Sequence, residues 1–117
     1  MTDITIWHNP RCSKSRISLA LLTEQGIEPI EVRYLEAPPT RAEIERVLEL
    51  LGIAPIDLMR RGEAAFKELH LSSNSTDEQL LEAMASRPIL IERPVVFTDS
   101  KAMIGRPPEN VLELLDQ

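Results

Sequence analysis

Apolar and polar positions along the chain change period several times, and each change marks an element. Ile4-Thr5-Ile6-Trp7 is a β-branched, aromatic run closed by Asn9-Pro10, which predicts a short buried strand. From Ser13 to Gln25, Ile17, Ala20, Leu21 and Leu22 keep one apolar helix face, and Gly26 supplies the stop. A second strand is expected from Glu28 to Tyr34, where Ile30, Val32 and Tyr34 recur at period two. Ala37-Pro38-Pro39 is a rigid connection. Thr40-Arg41-Ala42-Glu43 has the spacing of a capping box, and Ile44, Val47, Leu48 and Leu51 mark one face of the helix it opens, with Gly52 at its end. Pro55 to Leu69 reads as helical in pieces, broken near Gly62. Ser75 or Thr76 caps the next helix with Glu78 or Gln79 as partner; Leu80, Leu81 and Met84 face inward and Pro88 closes it. Residues 94–98 and 101–104 read as strands of a hairpin turning at Asp99-Ser100. Pro107-Pro108 opens a last helix with Val111, Leu112 and Leu115 on its buried face.

The order is strand–helix–strand, several helices, then strand–strand–helix. Two strands joined by one helix should lie parallel, and the late hairpin adds antiparallel strands. The expected class is α/β: a mixed four-stranded sheet with flanking helices. This is the element order of the thioredoxin-like (glutaredoxin-like) fold, as a single domain over residues 1–117 with an enlarged helical insertion at about 40–88. A length of 117 residues fits one domain. With aromatics at 3%, the core must be built from aliphatic side chains and Met.

A net charge of −6 argues against non-specific binding to nucleic acid or to an anionic membrane. No apolar run approaches the roughly 20 residues of a membrane span. The N-terminal residues lack the cationic and apolar regions of a secretory signal, and the single cysteine fits a reducing compartment, so a cytoplasmic location is expected.

That cysteine, Cys12, falls where the first strand hands over to the first helix, in the run Asn9-Pro10-Arg11-Cys12-Ser13-Lys14-Ser15-Arg16. A free thiol titrates near ~8.5, so only about 3% is ionised at neutral pH. At a helix N-terminus the anion meets unpaired N–H groups and the positive end of the dipole, and Arg11, Lys14 and Arg16 add charge. A sulfur made acidic in this way also leaves well when a second thiol attacks. Because no other cysteine exists, any disulfide it forms joins another molecule. Ser15 stands where a dithiol oxidoreductase carries its second cysteine; it is either a donor to the sulfur anion or an ordinary residue of the first turn. His8 is either an imidazolium partner or general acid, or a strand-end residue bonded to the backbone.

Ten of the thirteen cations are Arg, the residue whose planar fork matches oxyanions. Most, including Arg41 and Arg46, are expected to pair with surface Glu. Arg93 and Arg106 stand out because each precedes a proline at a β junction. In this element order a proline at position 94 sits beside the first helix, and its preceding bond is often cis; the sequence does not choose. Arg60 or Arg61 offers a further guanidinium from the helical insertion, or lies on a solvated face. No metal-ligand spacing is present.

These residues resemble the glutaredoxin-coupled arsenate reductase family. The resemblance spans essentially the whole chain and includes Ile4-Thr5-Ile6, His8-Asn9-Pro10, Cys12, Ser15-Arg16, Tyr34-Leu35-Glu36, Pro38-Pro39, Gly52, Leu58, Arg60, Ile89-Leu90-Ile91, Arg93-Pro94 and Arg106-Pro107. It implies that Cys12 attacks arsenate, that Arg60, Arg93 and Arg106 hold the oxyanion, and that His8, Ser15 and Arg16 help keep Cys12 ionised. It further implies that glutathione attacks the arsenic centre next, that arsenic leaves reduced to arsenite, and that glutaredoxin removes glutathione from Cys12, with no bound cofactor. Where plasmid-borne members carry small neutral residues around the cysteine, this chain has Arg11 and Ser13-Lys14, as in a chromosomal subgroup. The run also lies near that of stress regulators that bind RNA polymerase. Two alternatives follow: a glutathione-dependent thiol/disulfide reductase, and a non-enzymatic redox-regulatory adaptor. The arginine trio favours arsenate, since a disulfide presents no tetrahedral anion to grip.

Overall fold

The computed structural model describes residues 3–115. They divide into two compact units: the stretches up to Ala37 and from Arg93 form the first, and Pro38–Glu92 the second.

The first unit holds a four-stranded sheet in the order β2-β1-β3-β4, built from β1 (Thr5–Trp7), β2 (Ile30–Val32), β3 (Val95–Phe97) and β4 (Ala102–Ile104). β1 and β2 run parallel, as a single-helix crossover requires, while β3 is antiparallel to both β1 and β4. Strand periodicity sends Ile4, Ile6 and Val96 to one face. There they meet Leu22, Val111 and Leu114 in a core flanked by Leu19, Leu21, Ile27 and Met103. On the diagonal of the β1–β3 pair, the Trp7 and Phe97 rings meet edge to face with centroids 5.4 Å apart.

Three expectations about this unit change. Helix α1 (Ser13–Glu24) buries Ser15, Ser18 and Leu22, whereas Ile17 is 47% exposed and Ala20 also faces solvent. Ser18 lies against the chain at Gly105, Ser15 against His8 and Asn9, and Leu22 in the core. Second, β2 ends at Val32; the chain turns at Arg33, whose carbonyl accepts from both Glu36 and Ala37, and Tyr34 is buried from the turn. Third, the C-terminal element is a 3-10 helix, Pro108–Leu115, which buries Pro108, Val111 and Leu114, with Leu112 half-buried and Leu115 partly buried against the same core. A winding of three residues per turn aligns every third side chain.

In the second unit, α2 (Arg41–Leu51) and α4 (Asp77–Ser86) each start with a complete capping box, Thr40 with Glu43 and Thr76 with Gln79. Gly52 ends α2 in the left-handed region at φ 69, a conformation other residues adopt at a cost. Ile44, Val47 and Leu48 of α2 and Leu80, Leu81 and Met84 of α4 are buried. Arg41 joins the two helices by ion pairs to Glu45, Glu78 and Glu82, as its surface role anticipates. Between them lie the 3-10 turn Pro55–Leu58 and the short α3 (Ala64–Glu68), separated around Gly62 as read from the sequence. Thr40→Ala removes one half of a capping box and should lower stability by about 1 kcal/mol, read as a shift in the denaturant midpoint at constant slope.

Candidate active site

The register of the sheet assembles the site. Extending the pairs Val95↔Ile104 by two residues sets Arg93 opposite Arg106 at the open end of the hairpin. Extending Trp7↔Val95 likewise brings Arg93 level with Asn9, at the start of the loop into α1. Both arginines are followed by cis prolines, Arg93-Pro94 and Arg106-Pro107. Arg106 Nε donates to the Arg93 carbonyl at 2.8 Å, and the Gly105 N–H donates to the Pro94 carbonyl at 2.9 Å.

The loop is bonded throughout. The His8 N–H donates to the Val32 carbonyl at 2.8 Å, prolonging the β1–β2 ladder. Asn9 Oδ1 accepts from the Arg11 N–H at 3.0 Å, and the Asn9 carbonyl accepts from the Cys12 N–H at 2.9 Å. Arg16 Nη1 donates to the Pro10 carbonyl at 2.9 Å, so this cation braces the loop that carries Cys12.

Cys12 is the N-cap of α1 and is partly exposed. Arg106 Nη2 lies 3.7 Å from its sulfur. Burial pushes the thiol up, but the Ser15 N–H, the Arg93 guanidinium, the Lys14 N–H and the Arg93 charge together outweigh it. The net result is a thiol below its ordinary value, favoured as the anion. The side chain makes no regular capping hydrogen bond, so the help from the helix comes from N–H groups directed at a large, diffuse sulfur.

His8 and Ser15 do something other than contact the sulfur through their side chains. Ser15 Oγ accepts from the Asn9 N–H at 3.1 Å and lies 2.7 Å from His8 Nδ1. The direction of the bond between Oγ and Nδ1 follows the tautomer of the ring, since the hydroxyl can donate one hydrogen and accept two. Burial lowers the His8 pKa; Glu31 opposes and Arg33 and Arg16 add to the lowering. The lowering favours the neutral ring, which weighs against the imidazolium reading of His8 and leaves its strand-end reading standing. The pair fixes the loop, and Ser15 serves the sulfur through its backbone.

Arg60 belongs to the second unit. There its Nε meets Glu63 at 3.1 Å and its Nη1 meets Glu92 at 2.9 Å, while the more exposed Arg61 lies 4.0 Å from Asp57. Sequence reasoning missed Gly105. A Cβ there would fall 2.6 Å from Ser18 Oγ, 2.7 Å from Pro94 Cγ and 3.1 Å from Val111 Cγ1. A glycine directly after a strand that ends in aliphatic residues was the available signal of close backbone approach. Among the described residues, no group of three or more His, Cys, Asp or Glu is placed to hold a metal ion, and no helix is long and apolar enough to cross a membrane.

Residues 7–114 match the model of the ArsC family. The chain is 49% identical over 115 residues to the uncharacterised protein YfgD of Escherichia coli, covering 97% of each. It is 44% identical over 117 residues to an arsenate reductase of Neisseria meningitidis, covering 98% of this chain and all of the relative. Among solved structures, an arsenate reductase from Vibrio cholerae superposes with a TM-score of 0.91 at 47% identity, over 96% of this chain and 97% of that one.

Proposed function

The chain belongs to the ArsC family, and from that membership we propose that it is an arsenate reductase with Cys12 as nucleophile. The observation that carries this reading is the setting of one sulfur: partly exposed, at the first turn of α1, with Arg106 Nη2 at 3.7 Å and its pKa held down in part by Arg93. A thiolate between two guanidinium groups both attacks and attracts a tetrahedral oxyanion.

In the first step the Cys12 sulfur forms a bond to As(V) as one As–O bond breaks, the oxygen leaving as water once protonated. Arg93 and Arg106 spread the charge of the remaining oxygens. Glutathione then supplies the second sulfur. A Cys12–glutathione disulfide forms, the electron pair of the S–As bond stays on arsenic, and arsenite departs as As(III). A glutaredoxin thiol attacks the glutathione sulfur and returns Cys12 as the thiolate. The lone cysteine supports this division of labour, since neither the second sulfur nor the resolving thiol exists in the chain. The cycle suits a reducing cytoplasm, where both thiols are kept reduced.

Purified protein supplied with arsenate, glutathione and glutaredoxin should accumulate arsenite, with one disulfide formed for each arsenite. No arsenite at saturating arsenate, together with ready turnover of a glutathione mixed disulfide, would make it a thiol/disulfide reductase. Arg106→Ala should raise KM for arsenate by about tenfold, the scale of one lost charged contact, and raise the ionisation midpoint of Cys12. Wild-type values for both would remove Arg106 from the site.

A further inference from the structure

A hollow among the described residues takes no part in the oxyanion chemistry. It has a volume of about 280 Å³ and opens beside the loop that carries Cys12, walled by His8–Arg11 on one side and by Arg33, Leu35 and Glu36 on the other. Its size is near the lower end for small-molecule sites, about 300 Å³. It lies past the carboxyl ends of β1 and β2, neighbouring parallel strands, where α/β sheets place ligands.

Its charges are mixed. Arg11 and Arg33 bring two guanidinium groups, Glu36 brings a carboxylate, and Leu35, 39% exposed, adds an apolar surface. Arg33 and Glu36 face each other at 3.9 Å with side chains 57% and 72% exposed, a weak pair that a ligand opens at little cost. A bare oxyanion has no use for Glu36. A small molecule with two carboxylates, one ammonium and an uncharged middle satisfies all three groups.

We propose that this hollow seats the thiol co-substrate of the reaction above: glutathione, with its carboxylates on Arg11 and Arg33, its ammonium on Glu36 and its sulfur directed past the loop toward Cys12. The assignment rests on the arsenate reductase reading. The seated thiol gives up its proton to solvent and forms the S–S bond with Cys12 while the S–As electron pair passes to arsenic.

S-methylglutathione, which binds but cannot react, is titrated into isotope-labelled protein without arsenate. Backbone amide shifts should concentrate at His8, Asn9 and Arg11 and at Arg33 to Glu36, and Arg33→Ala should weaken binding about tenfold. In turnover the same variant should raise KM for glutathione about tenfold and leave KM for arsenate within about twofold, with partial recovery in Arg33→Lys. Shifts centred on the β3–β4 hairpin, no shifts at all, or a rise confined to KM for arsenate would each overturn the proposal. The two readings fail separately. Absence of arsenite with shifts at the hollow removes the reductase and keeps the thiol site; arsenite release with shifts elsewhere does the reverse.

Discussion

Cys12→Ser abolishes arsenite release, lowering kcat by on the order of a thousandfold or more, while the fold survives. A serine hydroxyl is not ionised at neutral pH by two guanidinium groups and a helix end, and it cannot form the disulfide that supplies arsenic with two electrons. Product assay and mass analysis of glutathione adducts check both points. The variant also reports on linkage. Folding lowers the thiol pKa, so ionisation of Cys12 favours the folded state. That contribution is complete above the unfolded value of ~8.5 and vanishes as pH falls through the folded one. The stability difference between wild type and Cys12→Ser should therefore widen as pH rises toward about 9, which denaturant titrations at several pH values will read.

Gly105→Ala costs about 1–3 kcal/mol in stability and disables the site from behind. The new Cβ would lie 2.7 Å from Pro94 Cγ and 2.6 Å from Ser18 Oγ. The serine can rotate away, but the proline ring cannot, so the segment that carries Arg93 must shift. Since Arg93 holds the Cys12 pKa down and its carbonyl anchors Arg106, the thiol midpoint should rise as stability falls. Loss of stability with an unchanged midpoint would mean that Pro94 and Arg93 do not move together.

Features held by a few adjacent residues were legible in the sequence. Thr40 with Glu43 and Thr76 with Gln79 announced their helices because a capping box is a local exchange of hydrogen bonds. The strand-to-helix position of Cys12 and the hairpin that pairs Arg93 with Arg106 were legible for the same reason. What depended on distant neighbours was not. Ile17 looked like a core residue, yet the face of α1 that turns inward carries Ser15, which meets His8 and Asn9, and Ser18, which meets Gly105 and Pro108. Val111 and Leu115 were placed against the core correctly, but Leu114 was missed, because the chain after Pro108 winds three residues to the turn. The two readings of His8 could not be separated in the sequence, because its burial beside Ser15 follows from the packed loop rather than from spacing.

The central claim is that folding lowers the Cys12 thiol pKa and so favours the anion. Ultraviolet thiolate absorbance followed across pH, with Cys12→Ser as the blank, measures it directly. The account predicts a single ionisation with its midpoint below the ordinary thiol value of about 8.5. A midpoint at or above that value would contradict it.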